Sequence, residues 1–145
     1  MSSPVLSWQV WALLAAVFAA LTAIFAKVGV EDMSSDLATF IRTIVILVAL
    51  GAILAGLGEF RALPHISAKS YVFLVLSGLA TGASWLCYFR ALKLGNASQV
   101  APIDKLSIVL VAVFGTFFLG EELSGLNWLG IGAIAVGALL VAWRF

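Results

Sequence analysis

Charge is scarce in this chain. Only 10% of its 145 residues are Asp, Glu, Lys or Arg, where a soluble domain carries about 25%. Such a surface is not built for water, and a mean hydropathy of +1.17 points to lipid as the solvent. Cysteine is nearly absent too, and the single Cys87 excludes an intrachain disulfide framework and a thiolate metal cluster. The one histidine, His65, lies in a polar stretch beside Pro64, so a metal site or a Ser-His pair has little to work with. A net charge of +1 leaves no basic patch for nucleic acid. No nucleophile with a base stands out, so neither an enzyme nor a bound cofactor is expected, coupling to a proton or another ion apart. Before the first apolar run, Met1 to Ser7 holds no Lys or Arg, so the charged start of a signal peptide is missing. The run that follows is longer than the core of a signal peptide and is read as a retained helix.

Long apolar runs fill the rest. Five emerge, at about residues 8–26, 37–58, 71–92, 97–119 and 126–143, each close to the roughly 20 residues that span a bilayer core. The segments lack the alternation of a spanning barrel, and helices satisfy every backbone group internally, as lipid requires. The expectation is an all-α polytopic membrane protein, one domain over residues 1–145, with five transmembrane helices and termini on opposite faces. We call the N-terminal side face A and the other face B. Trp8, Trp11, Tyr71 and Trp128 fall near face A, and Trp85, Tyr88 and Trp143 near face B, as in interfacial aromatic belts. Trp85 and Tyr88 also suit ligand contact, because they lie close in sequence to Arg90.

Orientation follows from Lys and Arg. Face A loops hold Arg61 and Lys69; face B holds Lys27, Lys93 and Arg144, with Arg42, Arg90 and Lys105 within a couple of turns. The bias favours face B in the cytoplasm and the N-terminus outside. It is a thin margin, compatible with insertion both ways. Small residues recur at close-packing spacing: Gly78 and Gly82; Ala12, Ala16 and Ala20; Gly51 and Ala55; Ala133 and Gly137. These stripes suit packing within the bundle, and they suit dimerisation.

Ionisable residues inside a span are costly, at about 2.5–3.5 kcal/mol each near its centre, so each is a candidate for function. Arg42 lies on the order of 8 Å below face B and Asp104 on the order of 10 Å, by helix rise. Lys105 is one residue deeper and Arg90 is shallower. Pairing Arg42 with Asp104 would offset part of the cost, and Lys105 would reach its ammonium toward the headgroups. Two readings fit: a functional polar layer, or a pin between two helices with an anchor at the bilayer edge. Pro102 removes the hydrogen bond to the Ser98 carbonyl and is expected to kink the fourth helix there. Glu121 and Glu122 read as a solvated turn at face A, although a helix C-terminus disfavours acidic residues.

These residues resemble a family, the EamA module of the drug/metabolite transporter superfamily. The resemblance covers most of the chain and is strongest from Tyr88 to Ala142. Its carriers are Tyr88-Phe89-Arg90-Ala91-Leu92-Lys93-Leu94-Gly95-Asn96-Ala97-Ser98, then Val100-Ala101-Pro102, Leu119-Gly120-Glu121, and Trp128-Leu129-Gly130 with the glycine-rich last helix. Phe40-Ile41-Arg42 looks like the arginine common in the family's second helix. Most members carry two such modules in inverted orientation, ten helices around one cavity. This chain has one, like the small five-helix prokaryotic members.

The resemblance implies a secondary transporter in the inner membrane. A homodimer, antiparallel by analogy with the inverted repeats, would move a small metabolite or drug-like solute. By position, Arg42 and Glu121 match frequent family residues, and Asp104-Lys105 resembles a signature of the small subgroup. The solute and coupling candidates are therefore Arg42, Asp104, Lys105, Trp85, Tyr88, Arg90 and Glu121, with Pro102 as the kink and no catalytic or metal residue. The alternative is a non-transporting subunit, or half-module, that pairs with a larger membrane partner.

Overall fold

The computed structural model describes residues 7–143, with Pro64 and His65 described by backbone alone; Arg144, counted above at face B, lies outside the described residues. Among the described residues, five helices are long and apolar enough to cross a membrane. Helix α1 spans Trp8–Gly29, α2 Ser35–Leu57 and α3 Ala68–Leu94, with a 3-10 turn, Glu59–His65, between the last two. The fourth crossing is broken into α4 (Ala97–Asp104), α5 (Ser107–Phe114) and a π-helical turn (Gly115–Leu119), and α6 spans Gly125–Ala142. Among the described residues there are no strands.

Serines set several starts. The Leu37 N–H donates to Ser34 Oγ at 3.2 Å, Ser70 N–H to Ser67 Oγ at 3.1 Å and Asn127 N–H to Ser124 Oγ at 3.2 Å. Each satisfies one of the donors that a helix N-terminus leaves open, a contribution of about 1 kcal/mol. The caps explain why α2, α3 and α6 begin one to three residues before the apolar runs do. Gly58 ends α2 in the left-handed region at φ 72, where its N–H returns to the carbonyls of Ala55 and Leu54. That conformation favours glycine. At 27 residues, α3 is about 40 Å long and exceeds a hydrocarbon core of about 30 Å.

The chain divides into two compact units, Met1–Ile24 with Leu94–Phe145, and Phe25–Lys93. In the second unit the buried residues gather at the face B end: Ala26, Val30, Ser35, Ala38, Thr39, Phe89 and Leu92. Away from that end the side chains of α2 and α3 turn outward, and from Ala68 to Ser84 only Gly82 is even partly covered. In the first unit α4 and α5 pack against α6, with Ala112, Gly115 and Ala138 buried. Leucine, valine and phenylalanine dominate the exposed surface of both units. A surface of that kind suits lipid, where apolar side chains lose nothing by facing outward.

Candidate functional site

Within Phe25–Lys93, polar groups close the face B end. Lys27 Nζ donates to the Leu92 carbonyl at 2.7 Å, and Lys93 Nζ donates to the Met33 carbonyl. Arg90 Nη2 forms an ion pair with Asp36 Oδ1 at 3.0 Å. Both members of that pair are more than half exposed, so solvent screening leaves it worth at most about 1 kcal/mol. The Thr39 hydroxyl, buried beneath, returns to the Ser35 carbonyl at 2.8 Å.

One step deeper sits Arg42. It is the eighth residue of α2, roughly 10 Å along the helix. Its guanidinium lies over the Trp85 ring at 4.2 Å from the centroid and at 5.5 Å from that of Phe89. Trp85 and Phe89 are four residues apart on α3 and so share one helix face. Tyr88 meets Phe89 edge-on at 6.4 Å between centroids. A cation over an aromatic face away from bulk water gains up to about 2 kcal/mol, which lowers the cost of holding charge at this depth. Within the unit, among the described residues, no carbonyl or carboxylate takes the N–H groups of Arg42. Both rings thus lie close to the cation on its α3 side.

The first unit holds the other nominated residues. Helix α4 runs through Pro102 to Asp104 without stopping at Ser98. The lost bond falls on a carbonyl in the first turn of α4, so the helix survives it. The disturbance appears three residues later. Lys105 N–H is shared between the carbonyls of Ala101 at 3.2 Å and Pro102 at 3.1 Å, and Leu106 N–H goes to Ile103 at 3.0 Å. Bonds three residues back tighten the backbone at Lys105 and Leu106 and separate α4 from α5. The expected kink is therefore a break, placed at the charged residues themselves. Asp104 Oδ2 and Lys105 Nζ stand 3.3 Å apart. Both side chains of this pair of neighbours remain partly exposed. A shallow pocket of about 390 Å³ in this unit is lined by Ile103, Leu139, Ala142 and Trp143.

At the other end of this crossing the π turn widens the backbone, and Gly120 takes φ 69. The N–H groups of Gly120 and Glu121 both return to the Gly115 carbonyl, that of Glu121 at 3.1 Å. Glu121 is thereby folded back along the helix. Its carboxylate lies against the Cα of Gly115, where a Cβ would come within 2.5 Å of Oε2. The backbone of Glu121 is thus bonded into the turn, while the residue stays exposed, as the sequence reading has it.

Of the nominated residues, the structure gathers Arg42, Trp85 and Tyr88 with Arg90 nearby in one unit, and Pro102, Asp104 and Lys105 at one break in the other. Glu121 stands apart from that break, at the far end of the same crossing. The sequence reading missed Phe89, Asp36 and Gly115. Phe89 was findable from its four-residue spacing to Trp85, whereas Asp36 follows Glu31 and Asp32 in a short polar stretch where nothing sets it apart.

A family model described as "EamA-like transporter family" matches residues 6–143. A protein of Sinorhizobium sp named "Uncharacterized transporter in cobO 3'region" is 63% identical over 136 residues, 94% of this chain and 96% of that one. An Aeromonas hydrophila protein, "Probable 4-amino-4-deoxy-L-arabinose-phosphoundecaprenol flippase subunit ArnE", is 39% identical over 69 residues, 48% of this chain and 60% of that one. "Uncharacterized transporter YxxF" of Bacillus subtilis is 30% identical over 137 residues, 93% of this chain but only 42% of that protein. No solved structure matches.

Proposed function

We propose, from the premise that this chain belongs to the EamA-like transporter family, that it is one half of a secondary transporter. It acts as a single five-helix module, and two copies pair to move a small metabolite or drug-like solute across the prokaryotic cytoplasmic membrane by alternating access. One observation carries the reading: the fourth crossing is discontinuous at Lys105 and Leu106, with Asp104 at the break. Broken spanning helices with polar groups at the break are what transporters use to hold substrate and coupling ion, and irregular backbone at membrane depth belongs where it borders a cavity or protein. Asp104 is the group that gains or loses a proton or meets the solute, Lys105 is its local counter-charge, and Arg42 on its aromatic bed is a second contact. The twofold pairing is supported by the Bacillus relative, which nearly the whole of this chain matches over less than half its length.

The test is transport by the purified protein in proteoliposomes, read as current on a solid-supported membrane against amino acids, sugar phosphates and lipophilic cations. Wild type responds to at least one class. Asp104→Asn, folded and monodisperse, loses that response. Equal responses from wild type, Asp104→Asn and Arg42→Ala would sink the assignment.

A second reading has its own support. Several relatives are named as subunits of a flippase, which favours a half-module that works only with a different membrane partner. Affinity purification separates the two: a homodimer that transports alone supports the first, and a stoichiometric second membrane protein supports the other.

A further inference from the structure

We infer that the connection between α2 and α3 lies in the membrane interface, with the lipid surface itself as its partner. Phe60, Leu63 and Ile66 enter the boundary between headgroups and acyl chains at face A and anchor both helices there. The inference goes beyond the transporter reading and is independent of it.

The first observation is where these apolar residues stand. Glu59–His65 is a 3-10 turn, in which residues three apart eclipse one another. Phe60 and Leu63 therefore share a stripe. Ile66 continues it at the cap, where its N–H returns to the Leu63 carbonyl at 3.3 Å. Arg61 and Ala62 stand off the stripe, one to either side. The three apolar side chains lie outside the spans, yet they are 46%, 45% and 36% exposed. The connection between α1 and α2 shows the alternative, since its Val30 is buried, at 1%.

The second is how little freedom the turn has. It follows Gly58 at the end of α2 directly, and Arg61 N–H donates to the Gly58 carbonyl at 3.3 Å. From the first turn of α3, the Tyr71 hydroxyl donates to the Leu63 carbonyl at 3.1 Å. That carbonyl thus holds two donors, Ile66 N–H and the Tyr71 hydroxyl, as many as its lone pairs accept. Tied to both helix ends, the stripe cannot leave the level at which α2 and α3 meet the membrane surface.

The third is continuity. Next to the turn, Leu57 on α2 and Val72 and Phe73 on α3 are more than half exposed. They belong to spanning helices, whose outward apolar side chains lose nothing against lipid. The stripe carries that surface past the helix ends, to the level where a tyrosine keeps its ring among chains and its hydroxyl among polar groups. A short apolar face with polar residues beside it lies in the interface plane, about 5–10 Å into the boundary.

The experiment measures depth on the whole chain in phosphatidylcholine nanodiscs. Phe60→Cys, Arg61→Cys, Ala62→Cys, Leu63→Cys and Ile66→Cys, each combined with Cys87→Ser, carry a nitroxide. Its relaxation is read against oxygen, which concentrates in the bilayer, and against a nickel chelate, which stays in water. Oxygen is expected to dominate at the sites of Phe60, Leu63 and Ile66, and the chelate at those of Arg61 and Ala62. Before labelling, an impermeant maleimide should react roughly tenfold more slowly at the three apolar sites. The wild-type chain is read alongside, by photo-crosslinking to a phosphatidylcholine that carries a diazirine near its glycerol, with crosslinks expected within residues 60–66.

Two results overturn the inference. Equal access of the chelate to all five sites, or the lack of any wild-type crosslink there, would mark a hydrated loop. Exclusion of both oxygen and the chelate from the three apolar sites would mark a protein contact, with a second copy or another membrane protein as the occupant. Depth is measured without transport, so the Asp104 assignment stands or fails separately.

Discussion

Gly115 has a hydrogen where any other residue would have a carbon, and the Glu121 carboxylate occupies the space. Adding a methyl there forces the Glu121 side chain off its position, a rotamer cost on the order of 1 kcal/mol. Gly115→Ala is therefore expected to lower stability in detergent by about that much, and Gly115→Ala with Glu121→Ala to regain it. Thermal melts of the two single variants and the double variant check the coupling; additive losses would mean that the contact carries no energy. This residue pair was illegible in the sequence because it depends on a π turn, which has no sequence signature. Arg42 and Trp85 were legible for the opposite reason. A charge in an apolar run and an aromatic near another charge are both conspicuous, whatever the fold does with them.

At the scale of elements, the spans could be read almost to their ends, because lipid allows few solutions and run length measures them directly. The ends shifted where serine caps extended the helices outward. The break in the fourth crossing was only half legible. Pro102 announced a disturbance, but its place was set by how the backbone tightened afterwards, through hydrogen bonds that no residue type specifies. If the break descends from Pro102, Pro102→Ala should join α4 to α5. Restoring the bond to Ser98 should raise stability by up to about 3 kcal/mol and slow hydrogen exchange at the Leu106 amide, while transport falls. Unchanged exchange at Leu106 would place the origin of the break in Asp104 and Lys105 instead.

For the whole molecule, the sparse charges that admit it to the bilayer also leave its orientation lightly specified. Reporter domains fused after Phe145 are expected on both sides of the membrane. Two lysines added to the 3-10 turn at Glu59–His65 should move the population toward one side, with face A inward. A reporter found on a single side before any lysine is added would leave parallel pairing or pairing with a different chain.

The ties at face B of the Phe25–Lys93 unit carry a consequence of another kind. Lys27 and Lys93 reach main-chain carbonyls, those of Leu92 and Met33, which any residue at those positions would supply. Each lysine can be held in place through evolution while the residue it touches drifts freely. Covariation among relatives, which finds contacts by compensating changes in pairs of side chains, would pass over both of these ties.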